Sequence, residues 1–286
     1  MLALEFHFKV GSNFRVFSWF DKTRQYLSDT FSNKSFFESW GGVALILLLP
    51  VAFLYLFLNL FDGTIYWLLT FITSLIVLFL CVGPSTIENS FASYFNSMEK
   101  GDSEAAYLNL NKIGSHSDDV IPENIEKAGI SEKDELIRSA TRKILTESQK
   151  SYFGVICWFI VFGPFGALFY RLSHIYYDHC KSIEFDEHLP LMERVIHWIE
   201  WVPSRVTSML FLLTGDFVNG FYRIQDYLTD AQANNEQLIS ETGIASLGLE
   251  MEVNNGEVEE NHRTVALVNR TIIFYLVVAA VLTSIF

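Results

Sequence analysis

The sequence predicts an all-α fold, that of a polytopic α-helical integral membrane protein. Half of its 286 residues are hydrophobic, and the excess is concentrated in four apolar runs that are long enough, or nearly so, to cross a bilayer as helices. The runs cover residues 41–61, 64–83, 152–170 and 271–286. Because the remaining chain shows polar and amphipathic helical patterns, we expect about four transmembrane helices with interfacial helices and a helical cytoplasmic loop.

These patterns divide the chain into seven segments. They are an interfacial amphipathic amino-terminal segment (1–39), a transmembrane helical hairpin (40–83), a cytoplasmic helical loop (84–150), a central transmembrane helix (151–172), amphipathic and re-entrant helices (173–228), an acidic, partly disordered loop (229–264) and a carboxyl-terminal transmembrane helix (265–286).

The composition argues against a nucleic-acid-binding protein and against a disulfide-stabilised one. A net charge of −13 argues against a nucleic-acid partner, because affinity for phosphate backbones comes largely from Lys and Arg. Two of the three cysteines lie inside predicted spans, so no disulfide framework is indicated. No cofactor motif is found. The first long apolar run begins near Trp40, which favours an uncleaved insertion signal over a secretory signal peptide.

Basic residues determine the predicted orientation. The amino-terminal segment interleaves Lys and Arg with aromatic residues, a pattern typical of a helix lying in the cytoplasmic interface. Asp62 and Gly63 form a turn between the first two apolar runs, which therefore return the chain to its starting side. The loop that follows carries eight basic residues, so the positive-inside rule places it in the cytoplasm as well.

Within that loop, individual residues mark where helices are predicted to begin and end. Asp102 and Ser103 open a helix that the glycine after Ile113 closes, and Pro122 begins another. Ser131 and Asp134 resemble a capping box that leads into a long helix. The apolar face of that helix is formed by Leu136, Ile137, Ala140, Ile144 and Leu145.

The central run, 152–170, carries no charge and is predicted to be one membrane helix. Gly163, Pro164 and Gly166 in its second half predict a kink. Gly163 and Ala167 have the spacing that lets a second helix approach closely. Arg171 follows the run, where its side chain can reach the lipid head groups.

Several metal-ligand residue types follow Arg171, namely His174, Asp178, His179, Cys180, Glu184, Asp186, Glu187 and His188. Their spacing fits no standard metal template. We therefore interpret them as a solvated interfacial face and assign no metal, with a zinc site as the alternative.

Residues 191–202 form an amphipathic helix that ends in the sequence WVPSR. Because Pro203 disfavours a helical Val202, the chain is expected to turn there and to present Arg205 from the next helix. The following stretch, 206–221, is interpreted as interfacial or re-entrant. A fifth crossing through it is the alternative, but Asp216 near its middle would be costly in lipid.

The stretch between Arg223 and Arg263 contains no Lys or Arg, which favours a non-cytoplasmic loop. Much of 234–261 reads as disordered. Four crossings leave Arg263 and Arg270 outside, against the charge bias, whereas five would place them inside. We prefer four because of Asp216.

With these residues laid out, the chain resembles the AmpE family of inner-membrane proteins, within the CobD/CbiB-like superfamily. The resemblance rests on WF-x-x-FGPFGALFYRL at 158–172, WVPSR-x-x-x-x-L at 201–210, Gly215 with Asp216, and KGDSEAAYL at 100–108. It implies a multi-pass protein of the bacterial inner membrane, a regulatory signal modulator tied to β-lactamase induction and cell-wall recycling.

Two hypotheses follow for function. The first, which we prefer, is a non-enzymatic signalling protein whose cytoplasmic loop binds a protein partner or a nucleotide, although that loop has no P-loop motif. The second is a CobD/CbiB-like enzyme or ligand-binding protein acting on an anionic amphiphile, such as a cell-wall-derived ligand, at the bilayer interface. Its candidate ligand-binding residues are Tyr170, Arg171, Glu200, Trp201, Arg205 and Asp216.

Overall fold

The computed structural model describes residues 17–31, 36–60, 66–82, 87–113, 132–183, 186–230, 232–248 and 258–285. Within these ranges every regular element is a helix, which confirms the predicted all-α class. The helices are α1 (Ser18–Phe31), α2 (Trp40–Asn59), α3 (Tyr66–Cys81), α4 (Ile87–Glu99), α5 (Ser103–Asn111), α6 (Glu132–Ser148), a π-helical stretch (Gln149–Phe153), α7 (Gly154–Ser182), α8 (Leu189–Thr214), α9 (Phe217–Thr229), α10 (Asn235–Ser246) and α11 (Val258–Ile285).

Local capping explains where several helices begin. The Asp102 carboxylate accepts a hydrogen bond from the Ala105 N–H at 2.9 Å and starts α5, as predicted. Asn234 caps α10 in the same way by accepting from the Glu236 N–H at 2.9 Å. The predicted helix start at Pro122, the closing glycine after Ile113 and the capping residue Ser131 lie outside the described residues.

Three helical stretches are long and apolar enough to cross a bilayer, judged by length and composition. They are Trp40–Asn59, Lys133–Ser182 and Glu259–Val281, and Trp67–Cys81 is a shorter apolar helix. Together with the all-helical fold, these stretches identify an α-helical membrane protein.

The chain forms two compact units. The first comprises Met1–Pro84 and Gly154–Trp198, and the second comprises Ser85–Phe153 and Ile199–Phe286. In the first unit, α2 and α3 both pack against α7. The aromatic ring of Phe20 in α1 meets that of Tyr176 in α7, with 6.5 Å between their centroids.

Helix α7 reverses direction at Gly163, so that it consists of two arms, 154–162 and 164–182. Gly163 has φ +63° and ψ −149°, a conformation that essentially only glycine adopts. Pro164 then begins the second arm, where its missing N–H costs no helical hydrogen bond. We call this element the α7 hairpin.

Close contacts between the arms establish the reversal. A Cβ atom on Gly166 would lie 2.4 Å from the carbonyl oxygen of Trp158, and one on Gly154 would lie 2.0 Å from the hydroxyl oxygen of Tyr170. A straight helix would separate residues 154 and 170 by about 24 Å along its axis. The predicted kink is therefore confirmed in position, but the chain folds back on itself.

The reversal corrects two expectations. Because Gly154 and Tyr170 lie beside each other, the central run does not form the single continuous helix predicted for 151–172. The expected close approach of a second helix at Gly163 is also wrong, since no atom of the described residues lies within 4 Å of a Cβ placed there. The glycines that allow close approach are Gly154 and Gly166, and they serve the two arms of one hairpin.

The second unit has a core shared by α4, α5, α6, α8, α10 and α11. The apolar face predicted for α6 is confirmed: all five of its residues are at most 2% exposed. At the centre, the Asn261 amide donates to the Ile137 carbonyl at 3.0 Å and to the Thr141 hydroxyl at 2.8 Å. Its oxygen accepts from the Tyr94 hydroxyl at 2.9 Å. This buried network ties α4, α6 and α11 together.

Two further expectations differ from the structure. Residues 235–246, within the stretch read as disordered, form α10, whose Gly243 lies against Leu145 of α6. The polar composition of this segment hid a largely buried helix in the sequence. Pro203 also does not end a helix, because α8 continues through it. Nearby carbonyls gain side-chain donors instead: the Ser204 hydroxyl donates to the Glu200 carbonyl at 2.7 Å.

Candidate functional site

The six predicted site residues are divided between the two units. Tyr170 and Arg171 belong to the first unit, and Glu200, Trp201, Arg205 and Asp216 belong to the second. Within the second unit, Arg205 and Asp216 are 11 residues apart at the two ends of the same segment, about 16 Å along a helix axis.

Arg205 is buried and its guanidinium is directed at acceptors of its own unit. One terminal nitrogen donates to the Asn235 side-chain oxygen at 2.8 Å and to the Trp201 carbonyl at 3.0 Å. The other donates to the Asp230 carbonyl at 2.7 Å and to the Tyr227 carbonyl at 3.3 Å. The planar fork thus holds the end of α9 and the start of α10 against α8.

The surroundings of Arg205 also affect its ionisation. Burial lowers the pKa of the guanidinium, and the nearby Asp230 charge opposes that shift. The Trp201 ring lies under the guanidinium, 4.3 Å from its central carbon to the ring centroid, which is a cation–π contact. Arg205 and Trp201 therefore act together as a clamp between helices.

Glu200 lies one turn before the clamp and is only 6% exposed. Its carboxylate accepts a hydrogen bond from the Gln149 amide at 3.0 Å. Gln149 begins the π-helical stretch after α6, so this bond joins that irregular turn to α8.

Asp216 and Gly215 form the turn between α8 and α9. The Asp216 N–H donates to the Ser246 carbonyl at 2.8 Å, and a Cβ on Gly215 would lie 2.4 Å from that oxygen. Only glycine allows the backbone to approach the end of α10 so closely. Arg205 therefore binds the start of α10, and the turn at Asp216 binds its end.

Tyr170 is fully buried in the α7 hairpin, where its hydroxyl lies against Gly154. Its ring also meets the His174 ring edge to face, with 4.6 Å between centroids. The aromatic side chain thus fills the space that a glycine on the opposite arm leaves. Gly154 and Tyr170 therefore form one packing contact between the two arms of the hairpin.

Arg171 follows Tyr170 on the second arm and is partly buried. Among the described residues, no group accepts a hydrogen bond from its buried Nε atom. Of the six predicted residues, Arg171 and Trp201 each keep a buried N–H donor, Nε and Nε1 respectively, that has no acceptor among the described residues.

A buried hydrogen-bonded pair, Tyr176 and His188, links the two chain segments of the first unit. The Tyr176 hydroxyl is hydrogen-bonded to Nδ1 of His188, and Nε2 of His188 is bonded to the Phe37 carbonyl at 2.6 Å. The described residues contain no group of three or more side chains able to hold a metal ion. His188 was predicted to be part of a solvated face. Its side chain is instead only 7% exposed and connects two segments of the chain.

The comparisons with known proteins agree with this architecture. The profile of the family described as "Regulatory signalling modulator protein AmpE" matches residues 1–286. The chain is 22% identical to "Protein AmpE" of Shigella flexneri over 235 residues, covering 80% of this chain and 79% of that protein. No solved structure matches. Since the family profile covers the whole sequence, the chain belongs to the AmpE family of regulatory signalling modulator proteins.

Proposed function

We propose that this protein is a multi-pass regulator of the bacterial inner membrane that modulates β-lactamase induction in response to cell-wall recycling. The observation that carries this proposal is the environment of Arg205. Its guanidinium is directed at internal carbonyl and amide oxygens, so the residue best suited to clamp an anionic substrate serves to join helices. This use of the strongest site candidate favours regulation over catalysis.

The proposed topology has three crossings, formed by α2, α3 and α11, with the α7 hairpin entering the bilayer from the cytoplasmic side and returning. Ile160, Val161 and Phe162 at the hairpin tip are 37–59% exposed, as expected for side chains that face lipid. Each arm up to Tyr170 spans only about 10–14 Å at 1.5 Å per residue, less than half of a 30 Å core.

This topology removes the conflict over Arg263 and Arg270, although it places the loop between Arg223 and Arg263 in the cytoplasm, opposite to the side favoured by its lack of Lys and Arg. Asn261, near the start of α11, bonds to Ile137 and Tyr94, which belong to the loop assigned to the cytoplasm. Arg263 and Arg270 follow on α11 and then lie at its cytoplasmic end, in agreement with the positive-inside rule.

The cytoplasmic loop 84–150 is proposed to present a protein-binding surface. Its helices α4, α5 and α6 share one core with α10 and α11, so their outer faces are held in a defined arrangement rather than on a mobile linker. A partner binding there would sense the state of the membrane-anchored helices. An anionic ligand derived from the cell wall is the alternative signal.

The second candidate is a membrane enzyme of the CobD/CbiB-like superfamily. Asp216 favours it, because this carboxylate is partly exposed at a break between helices, where a reacting group would be accessible. In this view Asp216 would act as an acid, a base or a metal ligand.

A complementation experiment separates these candidates. The gene is deleted in its own host, and β-lactamase induction is measured after return of wild type, Glu200→Gln with Asp216→Asn, or Gly154→Leu. The first variant preserves hydrogen-bonding shape but removes both carboxylates. We expect it to restore regulation, whereas Gly154→Leu, which blocks the α7 hairpin, does not. Loss of regulation by the carboxylate variant at normal protein levels would instead support the enzyme.

A further inference from the structure

An apolar cavity of about 550 Å³ lies within the first unit, between α1, α2, α3 and the second arm of the α7 hairpin. This volume falls within the range of about 300–1,000 Å³ that is typical of pockets for small molecules. Its lining is almost entirely aliphatic and aromatic. The lining residues include Trp19 of α1, Leu49 of α2, Val77 and Cys81 of α3, and Leu168 of α7.

A cation stands beside one end of this cavity. Arg171 follows Leu168 by three residues, which places the two side chains on the same helix face. Cys81, a second lining residue, belongs to α3, which packs against α7. The buried Nε donor of Arg171 has no acceptor among the described residues, so an anionic group at this position would gain a charge-assisted hydrogen bond.

The combination of an acyl-sized apolar space and a guanidinium matches an amphiphile with a negative head. Apolar side chains cannot distinguish one hydrocarbon tail from another, but Arg171 distinguishes an anionic head from a zwitterionic one. We propose that the cavity binds one anionic phospholipid, with an acyl chain between α2 and α3 and the phosphate at Arg171. This site does not depend on the regulatory role proposed above.

Native mass spectrometry of the purified full-length protein tests the proposal. The protein is incubated with equal amounts of dioleoylphosphatidylglycerol and dioleoylphosphatidylcholine, and retained lipid is counted. Val77→Trp fills the cavity from α3, and Ile76→Trp adds the same side chain at a neighbouring position that is 52% exposed. Leu49→Trp fills the cavity from a lining position that is 40% exposed, so it tests occupancy without disturbing buried packing.

Wild type and Ile76→Trp are expected to retain one phosphatidylglycerol in preference to phosphatidylcholine, and both filling variants are expected to lose it. Arg171→Gln should still bind lipid but lose its preference for phosphatidylglycerol by on the order of tenfold, the worth of one hydrogen bond to a charged group. Arg194→Gln, an exposed site in the same unit, is the control.

Three outcomes would overturn the proposal. Equal retention by Leu49→Trp and Ile76→Trp would mean that the lipid lies on the outer surface. Equal retention of both lipids by wild type would mean that the head group is not recognised. An unchanged preference in Arg171→Gln would remove Arg171 from the site. β-lactamase induction in the same variants reports separately on the regulatory function.

Discussion

Gly154 and Tyr170 lie against each other across the α7 hairpin, so that a Cβ atom at residue 154 would be only 2.0 Å from the tyrosine hydroxyl oxygen. The pair is 16 residues apart in a run that hydropathy alone describes as one spanning helix. Its contact converts that run into two antiparallel arms. The direction of the chain after Arg171 depends on this relationship, because the contact turns the second arm back along the first.

Replacing Gly154 with Ala should destabilise the protein by about 1–3 kcal/mol, the usual cost of overpacking. This is opposite to the gain of up to about 1 kcal/mol that Gly to Ala gives inside an unobstructed helix. Thermal unfolding in detergent measures the difference. Combining Gly154→Ala with Tyr170→Leu should recover part of the lost stability. If the two stability changes simply add, the alanine methyl group does not contact the Tyr170 side chain.

Replacing Gly163 with Ala should also destabilise the α7 hairpin, but for a different reason. In the part of the chain that the structure describes, no atom lies within 4 Å of a Cβ at this position, so the cost of about 1–3 kcal/mol comes from the backbone conformation. No second-site substitution of a neighbouring side chain should rescue it. Rescue by Tyr170→Leu would contradict this explanation.

Asn261 should be among the least replaceable polar residues of the second unit. Asn261→Leu leaves the buried Tyr94 hydroxyl and the Thr141 hydroxyl without this partner, at a cost of about 1–3 kcal/mol for each unsatisfied group. Tyr94→Phe removes only one bond and should cost about 1 kcal/mol. Asn269→Ala, which breaks an exposed bond to Glu88, is the matched control and should leave the unfolding temperature nearly unchanged.

Arg205→Lys should weaken the attachment of α9 and α10 although it keeps the charge. A lysine ammonium cannot reach Asn235, Tyr227 and Asp230 with the geometry of the guanidinium fork. Hydrogen exchange should therefore speed up at the end of α9 and the start of α10, while α4 and α6 remain protected. Uniform exchange across the second unit would indicate global unfolding rather than loss of a clamp.

Sidedness of Ser182 distinguishes the α7 hairpin from a single crossing. A cysteine is placed at this exposed position after Cys81, Cys157 and Cys180, all buried, are replaced by alanine. A membrane-impermeant maleimide should label Ser182→Cys only in opened cells.

Two further positions calibrate that labelling. Leu60→Cys, in the turn after α2, should react in intact cells, and Lys112→Cys, in the cytoplasmic loop, should react only after opening. If Ser182→Cys reacts in intact cells like Leu60→Cys, the central run crosses the membrane once and the three-crossing topology is wrong.

Much of the fold was predictable because its signals are local. Hydropathy located the apolar helices, and Asp102 marked the start of α5. Helical periodicity identified the buried face of α6, and Gly163 with Pro164 located the break in α7. Each of these features depends on residues within a few positions of one another.

The candidate site was predicted less well, because the roles of its residues depend on distant partners. Arg205 and Asp216 were rightly singled out as unusual polar residues beside apolar runs. Their contacts, however, are with Asn235 and Ser246, about 30 residues further along the chain. Spacing in the sequence contains no information about which groups will meet across such a distance.

The sequence by itself determined the helical class, the membrane association and the positions where the chain is interrupted, since composition, periodicity and capping are properties of neighbouring residues. Only the tertiary structure decided the direction of the chain after Gly163 and the burial of α10. A run of 19 apolar residues satisfies the bilayer either as one spanning helix or as two half-length arms, and the choice depends on the packing of Tyr170 into the space left by Gly154.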